Sequence, residues 1–223
     1  MEVLTSGVLE TKAAKEDHCI YSIEKPETKS RKPYLILKRI FDLSFSFGGL
    51  IILSVPMMII ALVIIIDSPG SPIYIQERLG KNGKPFRMYK FRSMRLDAED
   101  NGPKWADLKD ERCTKVGYVL RKSHLDELPQ LFNILKNDMS FVGPRPERAC
   151  FYDKFETYIK GFSNRLEVTP GLTGYAQVNG GYDLTPEEKI LYDMEYIERQ
   201  SAWLDIECIA KTVGLVFTGK GAH

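Results

Sequence analysis

Paired cysteines and histidines are what this chain lacks. Cys19, Cys113, Cys150 and Cys208 lie far apart with no Cys-x-x-Cys pair, and His18, His124 and His223 show no His-x-x-x-His spacing. That argues against a zinc site or a disulfide framework and fits a reducing compartment. An excess of one charge is missing too. With 31 basic and 30 acidic residues, no global field selects nucleic acid as a partner. There is no early apolar core of the kind a cleaved signal peptide needs, and no internal repeat. The chain is therefore expected to keep whatever membrane anchor it has.

Long apolar stretches are also scarce, with one exception. Leu43 to Ile66, LSFSFGGLIILSVPMMIIALVIII, is 24 residues without a charge. A straight helix of that length runs about 36 Å, against a hydrocarbon core of roughly 30 Å. Hydropathy alone fits an ordinary single span. Two features favour a re-entrant helix that enters and leaves by one face. Pro56 sits near the middle, where it removes a donor and kinks the helix. Arg31, Lys32, Lys38 and Arg39 precede the run, and Arg78, Lys81, Lys84, Arg87, Lys90, Arg92 and Arg95 follow it. The positive-inside rule pulls both flanks to the cytoplasm, which a single crossing cannot satisfy.

These features divide the chain into a polar tail (1–32), a re-entrant membrane helix (33–70) and one compact domain (71–223). Beyond the break at Asp67-Ser68-Pro69-Gly70, Ile73–Gln76 and Phe86–Phe91 read as strands of a hairpin whose loop contains Gly80-Lys81-Asn82-Gly83. From Ser123, the spacing of Leu125, Leu128, Leu131, Phe132 and Leu135 predicts a helix, with Ser123 as its cap and Asp126 completing a capping box. Phe151, Phe155 and Ile159 mark another, with Tyr152 and Tyr158 beside the stripe; such rings serve as core or lie in a headgroup layer. Thr169–Gly174 is rich in Gly and Pro and precedes the apolar run Tyr175–Val178. A last helix is predicted over Leu204–Phe217, with Ile206, Ile209, Val213 and Phe217 on one side. The expected fold class is α+β: a mainly helical domain with a small β-hairpin, anchored by an N-terminal kinked helix.

Two groups of residues carry candidate chemistry. Asp126-Glu127 differs from Asp110-Glu111, which sits in a charged, solvated run, because it heads an apolar-faced stretch just before Leu128-Pro129. At a helix start the amides and macrodipole favour a nearby phosphate, and two carboxylates suit Mg²⁺, which takes oxygen ligands and substrate phosphates. The bland reading of this pair is a helix cap with a surface ion pair. Lys90-Phe91-Arg92, Arg121-Lys122 and Pro144-Arg145-Pro146 supply cations on short segments. Arg145 is the most specific, since flanking prolines restrict the backbone and pre-position its guanidinium for bidentate phosphate binding. Lys81, Lys84 and Arg87 read as a solvated strand face or a lipid-headgroup contact.

Taken in order, Lys38–Asp42, Gln76–Gly80, Gly83–Phe86, Tyr89–Met94, Leu120–Lys122, Leu125–Leu131, Met139–Pro146 and Pro170–Val178 resemble the bacterial sugar transferases, the monotopic polyprenyl-phosphate phosphoglycosyl transferases. Each segment is modest alone; the ordered set, from about Lys38 to Val213, is specific. The resemblance implies transfer of a sugar phosphate from a UDP-sugar to undecaprenyl phosphate at the cytoplasmic face of the bacterial inner membrane, with Mg²⁺ and membrane lipid as partners. It implies Asp126 as nucleophile and Glu127 in metal binding or acceptor orientation, with Arg145 on phosphate or nucleotide. Lys90, Arg92, Arg121 and Gln177, which stand in the matched segments, are expected at the substrate site. Ser54 and Pro56 are the implied kink, although Val55 separates the Ser-Pro pair seen in many members. His124 stands where small hydroxyl residues or Tyr are common and carries no assigned role. The chain resembles the minimal catalytic form. A membrane-docked scaffold and a metal-dependent nucleotide-sugar hydrolase are the competing readings. The identity of the sugar and the oligomeric state, a homodimer included, stay open.

Overall fold

The apolar run lies within one long helix that the rest of the protein grips along its length. A computed structural model describes residues 21–26, 31–100, 102, 110–180 and 184–218; most of the expected polar tail lies outside them. A short strand, β1 (Tyr21–Ser22), precedes α1 (Lys32–Asp67), which has Pro33 in its first turn, where a missing N–H costs nothing. At 1.5 Å per residue α1 is about 54 Å long. It continues through Pro56 without interruption. Leu50, Leu53, Met57, Ile60, Ala61 and Ile64 recur at helical spacing and pack into two hydrophobic clusters. On the opposite side Ile36, Ile40, Phe47, Ile51, Val55, Met58, Leu62 and Ile66 are exposed.

Polar contacts fix both ends of α1 to the same body. Near its start, Tyr34 Oη and Lys38 Nζ both donate to Asp205 Oδ2, at 2.8 and 2.7 Å. Arg39 spans the carbonyls of Ile134 and Leu135 at 2.8 and 2.9 Å, and Asp42 Oδ1 accepts from the Phe141 amide at 3.0 Å. Beyond its end, the guanidinium of the buried Arg92 donates to the carbonyls of Ser68 and Pro69.

The expected hairpin is present and longer than its sequence signal. β2 (Ile73–Leu79) pairs antiparallel with β3 (Pro85–Phe91), Ile73 opposite Phe91 and Leu79 opposite Pro85. The connecting turn puts Asn82 at φ 58° and Gly83 at φ 71°, left-handed positions suited to these residues. Next comes α2 (Lys115–Lys122), capped by Thr114 Oγ1, which accepts from the Gly117 amide at 2.9 Å.

The predicted helix from Ser123 is broken. Ser123 closes the C-terminal end of α2, its hydroxyl donating back to the Val119 carbonyl at 2.8 Å, and His124 turns left-handed at φ 56°. Leu125–Glu127 form a single 3₁₀ turn, and α3 (Gln130–Leu135) starts only after Pro129. Pro129 has no N–H to continue an α-helical ladder and is tolerated only in a first turn. Ser123 therefore caps no helix start, and Asp126-Glu127 are not at a regular helix N-terminus.

β4 (Ser140–Val142), α4 (Ala149–Glu156), β5 (Ile159–Lys160), β6 (Gly171–Thr173) and α5 (Tyr175–Gly180) follow, then α6 (Pro186–Arg199), with a Thr185–Glu188 capping box, and α7 (Ala202–Thr218). β1 pairs parallel with β5, and β4 with β6. Ile159 thus lies in a strand, not in the aromatic helix. Tyr152 and Phe155 are buried in the main core with Val142, Phe162, Ile190 and Cys208, so these two rings are core. The fold is mainly helical with small two-stranded sheets. α7 turns Leu204, Asp205 and Cys208 inward, while Trp203, Ile206, Val213 and Val216 are exposed. Of the stripe read from the sequence, Ile206 and Val213 are exposed while Ile209 packs against the main core, and the Phe217 side chain lies outside what the structure describes.

Candidate active site

The loop carrying Arg145 is fixed through its own backbone. Two prolines remove its freedom to rotate, and every carbonyl from Pro144 to Glu147 has a partner. Gly171 N donates to Pro144 O at 2.9 Å and Leu79 N to Glu147 O at 3.0 Å. Arg165 Nη2 donates to Arg145 O at 3.0 Å and Arg78 Nη1 to Pro146 O at 3.1 Å. Gly143 and Gly171 make the close crossing before this loop: a Cβ on Gly171 would lie 2.1 Å from Gly143 N. Arg165 is itself held by Asp193 at 2.6 Å, both fully buried, while Glu147 is gripped by Arg78 and Lys189 at 3.0 and 2.9 Å. Burial pushes the Glu147 carboxyl up, but Lys189 and Arg78 outweigh it and hold it down at about 2.

Arg145 then reaches Glu127. Its Nη2 lies 2.5 Å from Glu127 Oε1, and Lys90 Nζ, at the end of β3, lies 3.2 Å from the same oxygen. Burial opposes ionisation of Glu127; the two cations more than reverse it and keep the carboxyl well below its usual value. Asp126 goes the other way. It is 7% exposed, and burial pushes its carboxyl up to about 6, with Lys90 pulling it down and Glu127 adding to the rise. Burial likewise lowers the Lys90 ammonium, against Glu127. Adjacent carboxylates are thus split into one held ionised by cations and one whose ionisation the fold opposes, a pattern that accompanies catalytic sites.

Asp126, Glu127, Lys90, Arg92, Arg121, Arg145 and Gln177 all line one polar cleft of about 390 Å³, together with Arg78, Arg148 and Lys189. Two of the expected residues are engaged elsewhere. The Arg92 guanidinium staples the α1–β2 connection, and Arg121 Nη1 lies 3.1 Å from Cys113 Sγ. Ser54 and Pro56 lie on α1, away from this cleft; Ser54 Oγ donates to the Ile51 carbonyl at 2.8 Å. Sequence reasoning missed Glu147, Arg165 and Asp193. Glu147 had a signal, since it directly follows the Pro-Arg-Pro loop; Arg165 and Asp193 are isolated charges with none.

A second cavity of about 520 Å³ is mostly apolar and meets the first at His124, Glu127 and Gln177. Among the described residues no three His, Cys, Asp or Glu side chains are grouped to hold a metal. As a pair, Asp126 and Glu127 match the one or two carboxylates through which Mg²⁺ is usually held, substrate phosphates and water completing its shell.

The chain is 42% identical over 193 residues to the UDP-N-acetylgalactosamine-undecaprenyl-phosphate N-acetylgalactosaminephosphotransferase of Aeromonas hydrophila, covering 85% of this chain and 46% of that protein. It is 39% identical over 193 residues to the UDP-glucose:undecaprenyl-phosphate glucose-1-phosphate transferase of Escherichia coli strain K12, covering 84% and 42%. EpsL of Bacillus subtilis strain 168, an uncharacterized sugar transferase, is 38% identical over 188 residues, covering 84% and 90%. The chain thus spans less than half the length of the first two and nine tenths of the third. The family description "Bacterial sugar transferase" matches residues 33–219, which include α1, the acidic pair and the Arg145 loop: the chain belongs to the bacterial sugar transferase family.

Proposed function

We propose that this protein moves a sugar 1-phosphate from a UDP-sugar to undecaprenyl phosphate, with Asp126 as nucleophile. The observation that carries this is the split carboxylate pair in a cleft lined with arginine and lysine. An Asp126 oxygen attacks the β-phosphorus, the bond to the bridging oxygen breaks, and UMP leaves with that electron pair. A phosphate oxygen of the lipid then attacks the same phosphorus, which releases the Asp126 carboxylate and yields a polyprenyl diphosphate sugar. Splitting one transfer into two displacements is the gain of a covalent intermediate. Lys90 and Arg145 neutralise the diphosphate, because phosphoryl transfer depends on positioning and charge more than on proton movement. Asp126 and Glu127 would hold Mg²⁺, which when bound supplies further neutralisation of the phosphate oxygens.

α1 supports a membrane location. It is long and apolar enough to cross a bilayer, yet both its ends are bonded to one body that carries many charges. The topology we propose keeps both ends on the cytoplasmic face, with the exposed stripe from Ile36 to Ile66 in lipid; the kink expected at Ser54 and Pro56 is not seen as a break in α1.

The test is to incubate the full-length protein with a panel of UDP-sugars and Mg²⁺, without lipid. A phosphosugar adduct on the peptide containing Asp126, visible by intact mass and absent in Asp126→Asn, supports the reading. UMP formation that requires undecaprenyl phosphate before any adduct would replace it with direct transfer. UMP release without lipid and without adduct would indicate a hydrolase, and no release under any condition a scaffold.

A further inference from the structure

The apolar cavity beside the acidic pair is not needed to bind a nucleotide. Its walls include Leu131, Phe141, Leu172, Ile209, Val213 and Val216; among the described residues that line it, Glu127 is the only carboxylate and none is a lysine or arginine. A diphosphate placed there would lose water without gaining a cation, which is strongly unfavourable. A hydrocarbon chain gains by the same burial. The cavity shares His124, Glu127 and Gln177 with the polar cleft, so a chain lying in it ends at the carboxylate pair. Gln177 marks that junction: its Nε2 donates to the Leu172 carbonyl at 3.2 Å, while its Oε1 is buried without a hydrogen-bond partner. A buried acceptor left unmatched calls for a donor on the ligand, such as the O–H of a monoprotonated phosphate. The other end of the cavity reaches Val213 and Val216, half exposed on α7 and continuous with the outward apolar side that carries Trp203 and Ile206.

We infer that this cavity between α3, α5 and α7 seats the phosphate-proximal isoprene units of the lipid acceptor, with the phosphate at the edge shared with the polar cleft, between Gln177 and the Arg145 and Lys90 cations that hold Glu127, and the rest of the chain leaving past Val213 and Val216 into lipid. The inference rests on the transfer proposed above and extends it to acceptor selection. Taking the roughly 30 Å³ that a water molecule occupies as a yardstick for one heavy atom, the cavity's 520 Å³ is room for a few five-carbon isoprene units and not for a whole long-chain acceptor. Recognition should depend on the first few units and be indifferent to the remainder.

The experiment uses full-length protein in mixed micelles and polyprenyl phosphates of two, three, four and eleven isoprene units. Acceptor kcat/KM should rise at least about tenfold from two units to four, as further apolar surface is buried, and then level off. A steady rise to eleven units, or no dependence at all, would overturn the inference. Val213→Trp and Val216→Trp, at half-exposed positions where a larger ring leaves the core alone, should raise acceptor KM about fivefold or more by narrowing the exit, while adduct formation from UDP-sugar without lipid changes less than about twofold. Equal changes in both half-reactions would also overturn it. So would an unchanged acceptor KM with weakened membrane retention, which would make the cavity a seat for bulk phospholipid. Equilibrium binding of radiolabelled four-unit polyprenyl phosphate, weaker in the Trp variants than in wild type, reads the same cavity without turnover. It therefore stays decisive if no adduct forms and the covalent mechanism fails.

Discussion

Replacing Asp126 by Asn should abolish turnover and yet make the protein more stable at neutral and alkaline pH. The carboxyl rises from 3.8 to about 6 chiefly because burial penalises its charge. Two units correspond to about 3 kcal/mol, and with only 7% exposure there is little solvent to discount it. The sign follows from linkage: a raised acid binds its proton more tightly in the folded state, so the cost of ionisation is nil below pH 3.8 and complete above about 6. Asn is isosteric with the protonated form and never bears that cost. Thermal unfolding of the full-length proteins in detergent should give Asp126→Asn a Tm on the order of 5–10 °C above wild type at pH 8. The gap should close as pH falls toward 4. A lower Tm at pH 8, or a gap that widens on acidification, would show that Asp126 is stabilised as the anion, and the split-pair argument would fail. Wild-type adduct formation should fall through the same window, because the nucleophile must be ionised.

Other perturbations follow from the same contacts. Arg145→Lys keeps the charge but loses the planar fork, and kcat/KM should fall by the equivalent of about 2 kcal/mol; full activity would leave Arg145 a structural residue. Glu147→Gln breaks the buried pairs with Arg78 and Lys189 and should destabilise by about 3 kcal/mol. Because that carboxyl is held near 2, its stabilising contribution is complete above pH 4.5 and is lost as pH falls through about 2, so denaturant midpoints of the variant and wild type should converge in acid. Gly117→Ala places a methyl 1.8 Å from Ser93 O, so α2 must move with Arg121; a Tm and activity equal to wild type would show the crossing to be looser than it is here. Single cysteines at Lys32 and Ser71, in a background free of other cysteines, should both resist an impermeant thiol reagent in intact cells and react after lysis. Labelling of only one in intact cells would establish a true span.

What was legible in the sequence was local. The hairpin is encoded in two β-rich runs and the short turn Gly80–Lys84 between them, and register follows once Asn82 and Gly83 set the loop. The anchor was legible because hydropathy needs no partner. Which face of it binds protein was not, since Leu, Ile and Met occur on all sides; only packing separates Leu53 and Ile60 from Ile51 and Leu62. The supports of Arg145 were illegible for another reason. Arg165 and Asp193 are 28 positions apart and surrounded by ordinary residues, and only tertiary structure reveals a buried pair bearing on a carbonyl of the Pro-Arg-Pro loop.

The carboxylate pair was found by type and misread by setting, and the error shows how the site is made. In an unbroken helix from Ser123, Leu125, Leu128 and Leu131 would share the buried stripe and Asp126 would stand between stripe and solvent. The break inverts this: Leu125 is 38% exposed and Asp126 only 7%. A left-handed His124, a single 3₁₀ turn and Pro129 rotate the pair off the regular path. A continuous ladder would bury more leucine but would leave Asp126 hydrated, with nothing to raise its proton affinity and no shared edge between a cationic cleft and an apolar cavity. Local propensity and global fold disagree most sharply here, where natural proteins concentrate such conflicts because function requires them.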